Sequence, residues 1–265
     1  MMKYIVSTLF VGLSGIIGLS LKQAGLTDKP PVLLAQSLPS DSVLRSTINF
    51  DPPPPPDLGE PTGRVSGGKR QGDCKPYEAV TALVPTVNLR GQDRRWGLTA
   101  SDRPTIWFHF PQGIGPQLPL KFAVQDAAGK LVYQTTFDAK KTDPGVVALT
   151  LPPTAPSLKS DRIYRWELTV YCDPHIDRPI WLQGNLQRTT VSPSLAADLA
   201  MAKTPLEQAR FYAQQGIWYD ALTTLGMAQQ TGQHQDVAAA WQSLLQQVHL
   251  EKSAGAKLLP ALESE

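Results

Sequence analysis

The stretch Tyr164 to Cys172, Tyr-Arg-Trp-Glu-Leu-Thr-Val-Tyr-Cys, constrains the fold more than any other part of the chain. Tyr164, Trp166, Leu168, Val170 and Cys172 fall at alternate positions, and Arg165, Glu167, Thr169 and Tyr171 lie between them. Successive side chains of an extended strand point to opposite faces, so this segment reads as a β-strand with one face in a core and one facing out. A single strand cannot cover its own apolar face, and the neighbouring segments must do so.

From Tyr77 to Arg188 the sequence divides into seven short apolar runs separated by turn residues. The runs are Tyr77 to Val84, Thr105 to Phe110, Leu120 to Gln125, Leu131 to Phe137, Val146 to Leu151, Ile163 to Cys172 and Ile180 to Arg188. The third and fourth form a hairpin: Leu120, Phe122 and Val124 alternate with polar or small residues, Asp126-Ala127-Ala128-Gly129 turns the chain, and Leu131, Tyr133 and Phe137 resume the alternation. Pro111, Pro152 and Pro153 close strands where a missing donor does no harm. The expected fold is an antiparallel immunoglobulin- or fibronectin-like β-sandwich of about seven strands over residues 74–190. Its predicted core holds Phe108, Phe110, Phe122, Val124, Leu149, Tyr164, Trp166, Leu168 and Val170. Tyr164 opens the penultimate strand, where such sandwiches place a tyrosine whose hydroxyl pins the preceding corner.

Beyond residue 194 the period changes from two to about three and a half. Thr204-Pro205 predicts a helix start, with Leu206, Ala209, Tyr212 and Ala213 as its apolar stripe and Gly216 as its end. Further helices are expected from about Ile217 to Gln230 and from about Asp236 to Val248. The spacing of Ala209, Tyr212, Gly216, Ala221, Leu225 and Ala228 is similar to one tetratricopeptide unit, with Gln233 where that motif has proline. A lone unit cannot bury its faces, so residues 194–250 are expected to dock on the sandwich. Trp218 and Tyr219 would then form a partner surface or serve as internal packing; the sequence leaves both open.

The N-terminus bears on compartment. Met-Met-Lys precedes the uncharged apolar run Tyr4 to Leu21, so residues 1–35 read as an export signal, with Ala35 a cleavage candidate, or as a retained anchor. Residues 36–73 are expected to be a disordered Pro/Gly-rich linker, with Pro52 to Pro56 a stiff polyproline spacer, and residues 251–265 a flexible tail. In an oxidising compartment the two cysteines, Cys74 and Cys172, invite a disulfide. Closing a loop of that length would stabilise the fold by roughly 4–5 kcal/mol in the chain-entropy account.

Charge and motifs exclude more than they indicate. The net charge of +2 comes entirely from residues 1–35, where Lys3, Lys22 and Lys29 outweigh Asp28, so no nucleic-acid footprint is expected. A membrane association would run only through an uncleaved N-terminal segment. Gly63 to Arg70 approaches a phosphate-loop spacing, but Arg70 stands where a magnesium-binding hydroxyl is needed. Asp173-Pro174-His175-Ile176-Asp177 offers one histidine and two carboxylates in a turn, too few for a metal site. His109, His234 and His249 are scattered, and His109 is expected to face outward beside Trp107. No nucleophile elbow or carboxylate pair stands in a supporting context. The expectation is a non-catalytic protein with no cofactor and no bound metal.

The export signal, the proline-rich lead, Gly-Gly-Lys-Arg-Gln-Gly-Asp-Cys at 67–74, Thr-Ala-Leu-Val-Pro at 81–85, Pro-Thr-Ile-Trp-Phe-His-Phe-Pro at 104–111, Tyr-Arg-Trp at 164–166 and Gly-Ile-Trp-Tyr-Asp-Ala-Leu at 216–222 together carry a resemblance. They resemble a cyanobacterial family of exported proteins called domain of unknown function 928, over roughly residues 64–250. The resemblance implies a cyanobacterial envelope protein and supplies no activity. Two functions follow as expectations. One is a protein-interaction module that holds an unidentified envelope protein of the periplasm or cell envelope. The alternative is a carbohydrate-binding module that stacks polysaccharide rings on Trp181 and Tyr171, provided the helices do not cover those aromatics.

Overall fold

The computed structural model describes residues 47–262 apart from 57–73, 75–76, 90, 117, 140, 173–178 and 233–234. The export segment, the phosphate-loop-like stretch, Asp173 to Asp177 and His234 lie outside the described residues. The described residues form nine strands: β1 (Thr81–Ala82), β2 (Thr86–Leu89), β3 (Gln92–Thr99), β4 (Thr105–Phe110), β5 (Leu118–Asp126), β6 (Leu131–Ala139), β7 (Gly145–Thr150), β8 (Arg162–Val170) and β9 (Ile180–Arg188). Helices α1 (Pro193–Met201), α2 (Pro205–Gln214), α3 (Trp218–Gln230), α4 (Gln235–Gln246) and α5 (Glu251–Ala254) follow. The strands form a three-stranded sheet in the order β1-β4-β7 and a six-stranded sheet in the order β2-β3-β9-β8-β5-β6.

Burial patterns explain how the sheets stack. The six-stranded sheet alternates: along β8, Tyr164, Trp166, Leu168 and Val170 are buried while Arg165 and Glu167 are half-exposed. The strands β4 and β7 are buried at nearly every position, as expected for a sheet covered on both faces. Ile106, Phe108 and Phe110 meet the large sheet, and Phe108 packs edge-on against Trp166 at 5.5 Å between ring centroids. Trp107 and His109 point the other way, under the helices. Trp107 lies edge-on to Trp241 at 5.5 Å and its Nε1 donates to Thr223 Oγ1 at 3.1 Å. His109 Nδ1 shares a 2.9 Å hydrogen bond with Ser253 Oγ, so the face it shares with Trp107, which points away from the large sheet, is covered by the helices. The helices cover the small sheet, and the start of α3 also reaches past it to the large sheet at β3, β8 and β9.

All nine core residues expected from the alternation are buried. The corner tyrosine is present as well: Tyr164 Oη accepts a hydrogen bond from Lys159 N at 2.8 Å. The strand count is not as expected, because β2 and β3 form an additional hairpin, and β3 pairs with β9 in parallel. Among the described strands the sandwich is therefore mixed, with β3 and β9 parallel and the other strand pairs antiparallel. The cysteines are joined, with Cα atoms 5.2 Å apart.

The helix starts follow their sequence signals. Thr204 caps α2 with its hydroxyl accepting from Glu207 N at 3.2 Å, while Glu207 Oε2 accepts from Thr204 N at 3.2 Å, a reciprocal box with Pro205 in the first turn. α1 begins similarly, with Ser192 Oγ accepting from Leu195 N. The helical part docks on the sandwich as expected.

Two segments expected to be loose are built into the body. Residues 47–53, inside the predicted linker, run extended over the helices, with Ile48 fully buried and Phe50 edge-on to Trp218 at 4.9 Å. The reason is apolar content: Ile48 and Phe50 alternate with polar residues just ahead of the prolines. At the other end, Lys257 O accepts from Val146 N and Leu259 N donates to Val146 O, each at 2.8 Å. Leu259 is buried, so the predicted flexible tail is in part an added strand-like partner of β7.

Candidate functional site

Three places bear on function: the seam between helices and sheet, a polar cavity beside it, and the outer face of the six-stranded sheet. The seam is organised by Trp218 and Tyr219 at the start of α3. Both are buried, so of the two readings left open the partner surface falls and internal packing stands. Trp218 Nε1 donates to Leu83 O at 2.9 Å. The Tyr219 hydroxyl accepts from Trp166 Nε1 at 2.8 Å and donates to Asn185 O at 3.3 Å. Burial raises the Tyr219 phenol above its ordinary value, against smaller opposing effects from the Trp166 bond and the Arg95 charge. A neutral hydroxyl that both donates and accepts is therefore what holds the helices to β8 and β9. Close approach makes this possible: the Trp166 ring occupies the place of a side chain at Gly184, its opposite neighbour on β9.

A cavity of about 190 Å³ opens between the β3–β4 loop and helices α2 and α3, lined by Thr99, Ser101, Arg103, Tyr212, Asp220 and Thr224 among others. Asp220 Oδ2 accepts from Thr99 Oγ1 at 2.8 Å and from Ala100 N at 2.9 Å. Desolvation raises its carboxyl above the ordinary range, opposed by these hydrogen bonds. Tyr212 is raised by desolvation and by the Asp220 charge. The Asp220 oxygen is committed to holding the loop after β3 against α3. Arg103 is engaged with Asp102 at 3.0 Å and Pro153 O at 3.4 Å. Thr99 and Asp220 lie 121 positions apart and no sequence signal joins them.

The third place is the large sheet's outer face. Trp181 is 41% exposed and lies opposite Thr169, which in turn lies opposite Lys121 and then Thr136 across β8, β5 and β6. The next row is Gln183, Glu167, Ala123 and Gln134. Tyr171, just past β8, is half-buried. The helices cover the small sheet instead of these aromatics, so the cover that would have removed Trp181 from the surface is not there. Apart from Trp181, the side chains along these rows are polar or small; Thr169 and Ala123 are buried, and Thr169 Oγ1 donates to Glu167 Oε1 at 3.2 Å. Among the described residues no group of three or more His, Cys, Asp or Glu could hold a metal ion, and no helix is long and apolar enough to cross a membrane.

A two-sheet domain with a helical cover, closed by a disulfide and carrying an exposed Trp181 on a sheet face of polar and small residues, is the class this structure defines. The family described as Domain of Unknown Function (DUF928) matches residues 65–258, and the chain belongs to it. No curated protein sequence matches the chain. Among solved structures, CopC from Methylosinus trichosporium OB3b is similar at 16% identity and a TM-score of 0.28, over 41% of this chain and 96% of that one. A Parabacteroides merdae beta-glucuronidase is similar at 10% identity and a TM-score of 0.26, over 66% of this chain and 28% of that one. Similarity at that level says nothing of this chain's ligand.

Proposed function

We propose that the protein is a non-catalytic binding module of the cell envelope, exported through its N-terminal segment, that engages polysaccharide on the outer face of the six-stranded sheet. The observation that carries this is Trp181, a 41% exposed indole on a strand whose neighbours across the sheet are Thr169, Lys121 and Thr136. An apolar ring face on the same sheet face as the Lys121 ammonium, the Gln183 amide and the exposed Thr136 hydroxyl suits a sugar, which presents both C–H patches and hydroxyls. Tyr171 supplies a second aromatic edge. The disulfide supports an oxidising compartment. The immunoglobulin- or fibronectin-like character, supported by the Tyr164 corner, and the tetratricopeptide-like character of α2 and α3 belong to the same proposal.

The test is co-sedimentation of the full chain with purified envelope polysaccharide. Wild type should pellet, and Trp181→Ala should weaken binding by roughly tenfold or more, as for loss of a central aromatic anchor. Equal pelleting of the two would refute the sugar platform. The second reading is a protein-interaction module. It is favoured by the outer edge of β6, which pairs with no further strand among the described residues and carries Leu131 at 51% exposure. Such an edge accepts an extended segment of a partner. Capture of an envelope protein that is lost in Leu131→Lys and kept in Trp181→Ala would select this second reading.

A further inference from the structure

Residues 47–53, Thr-Ile-Asn-Phe-Asp-Pro-Pro, lie across the turn between α2 and α3 and the end of α4 in the manner of a bound peptide. Burial alternates: Thr47, Asn49 and Asp51 are exposed, Ile48 is fully buried and Phe50 is half-buried against Trp218. A single side chain reads the backbone. Gln247 Nε2 donates to Ile48 O at 2.6 Å, and Gln247 Oε1 accepts from Phe50 N at 2.9 Å. Asp51 N donates to Ala213 O at 3.1 Å. Gly216, at φ +68°, leaves the space a side chain would fill: Asp51 O and Pro53 Cδ stand 2.7 and 2.6 Å from where its Cβ would be.

We propose that this groove is a recognition site for extended peptides of the pattern apolar, any residue, aromatic, any two residues, Pro, and that residues 47–53 are its resident, exchangeable ligand. Ordinary core packing would need the isoleucine and the phenylalanine. It would not need an amide side chain committed to two backbone groups of a segment that belongs to no sheet. Paired donor and acceptor to the main chain, a closed pocket for one side chain and an aromatic edge for the next but one are how extended peptides are read. The prolines that follow hold their own φ near the extended value, which lowers the ordering cost of binding. The site lies on the helices, away from Trp181, and does not depend on the polysaccharide reading.

The test uses the full chain and a fluorescein-labelled synthetic peptide of residues 47–55, followed by fluorescence anisotropy. Wild type should bind it poorly, because a tethered ligand competes at an effective concentration of about millimolar. Ile48→Asp/Phe50→Ala, which vacates the groove, should bind the peptide at least roughly tenfold more tightly than wild type, and adding Gln247→Ala or using a peptide with alanine in place of its phenylalanine should reverse that gain. A vacated variant that keeps the cooperative unfolding transition and yet does not bind, or that binds both peptides equally, overturns the proposal. Should the vacated variant not fold, amide exchange on wild type decides. Exchange of the Phe50 and Asp51 amides by local opening, faster than the amides of β8, supports an exchangeable segment; exchange only at the rate of β8 overturns it.

Discussion

The bond between Trp166 and Tyr219 joins the large sheet to the helices, and a double-mutant cycle on it measures whether the two parts are one cooperative body. Both side chains are buried and their polar atoms lie 2.8 Å apart. Tyr219→Phe leaves the indole N–H without a partner in a dry core, a loss of about 1–3 kcal/mol. Trp166→Phe removes the same bond together with part of the packing against Phe108, and full truncation to alanine would cost about 3–5 kcal/mol. The double variant Trp166→Phe/Tyr219→Phe has no orphaned N–H, so its cost should fall short of the sum of the singles by about 0.5–3 kcal/mol. Urea unfolding followed by both tryptophan fluorescence and far-UV dichroism provides the free energies, and the two signals should report one transition with an unchanged m value. Additive single effects, or helices that melt before the sheet, would refute the claim that α3 is part of the sandwich core.

Gly184→Ala should destabilise by about 1–3 kcal/mol through overpacking, since the new methyl would meet the Trp166 ring at 2.3 Å; an unchanged urea midpoint would contradict that placement. Reduction of Cys74–Cys172 should lower stability by roughly 4–5 kcal/mol, read from urea unfolding with and without reductant. Asp220 holds its proton more tightly folded than unfolded, so its contribution is present at low pH and is lost as pH rises above the ordinary aspartate value of 3.8. Asp220→Asn should flatten the fall in stability over that window, and an unaltered pH profile would show that the carboxyl is not raised.

The legible part of the fold was the part where one face is buried and the other is wet. β5, β6, β8 and β9 announce themselves by alternation, and burial along β8 follows it as far as Leu168, after which Thr169 on the outward face is buried as well. β4 and β7 were legible as apolar runs, but their burial on both faces was not, so the helical cover over Trp107 and His109 was not foreseen. β2 and β3 were hidden because Gln92 to Arg95 are polar and long, and only Trp96 and Leu98 hint at a period of two. The parallel pairing of β3 with β9 has no local signal, since it joins residues 89 positions apart in sequence, as with Trp96 and Asn185. Trp218 and Tyr219 were legible as important, with partner surface and internal packing both open: their partners Leu83 and Trp166 lie in other elements, and helix periodicity does not say which face meets a sheet. Trp181 was readable as outward from its place on β9, whereas its exposure depended on where the helices packed.

Six tryptophans make the central claim directly measurable. Trp96, Trp107, Trp166, Trp218 and Trp241 are at most 2% exposed, and Trp181 is 41% exposed, so acrylamide should quench one accessible class of fluorescence. That class should disappear in Trp181→Ala, and in wild type it should be shielded as envelope polysaccharide is titrated in. An accessible Trp181 whose quenching is unaffected by any polysaccharide of the envelope would contradict the assignment of the open sheet face as the binding surface.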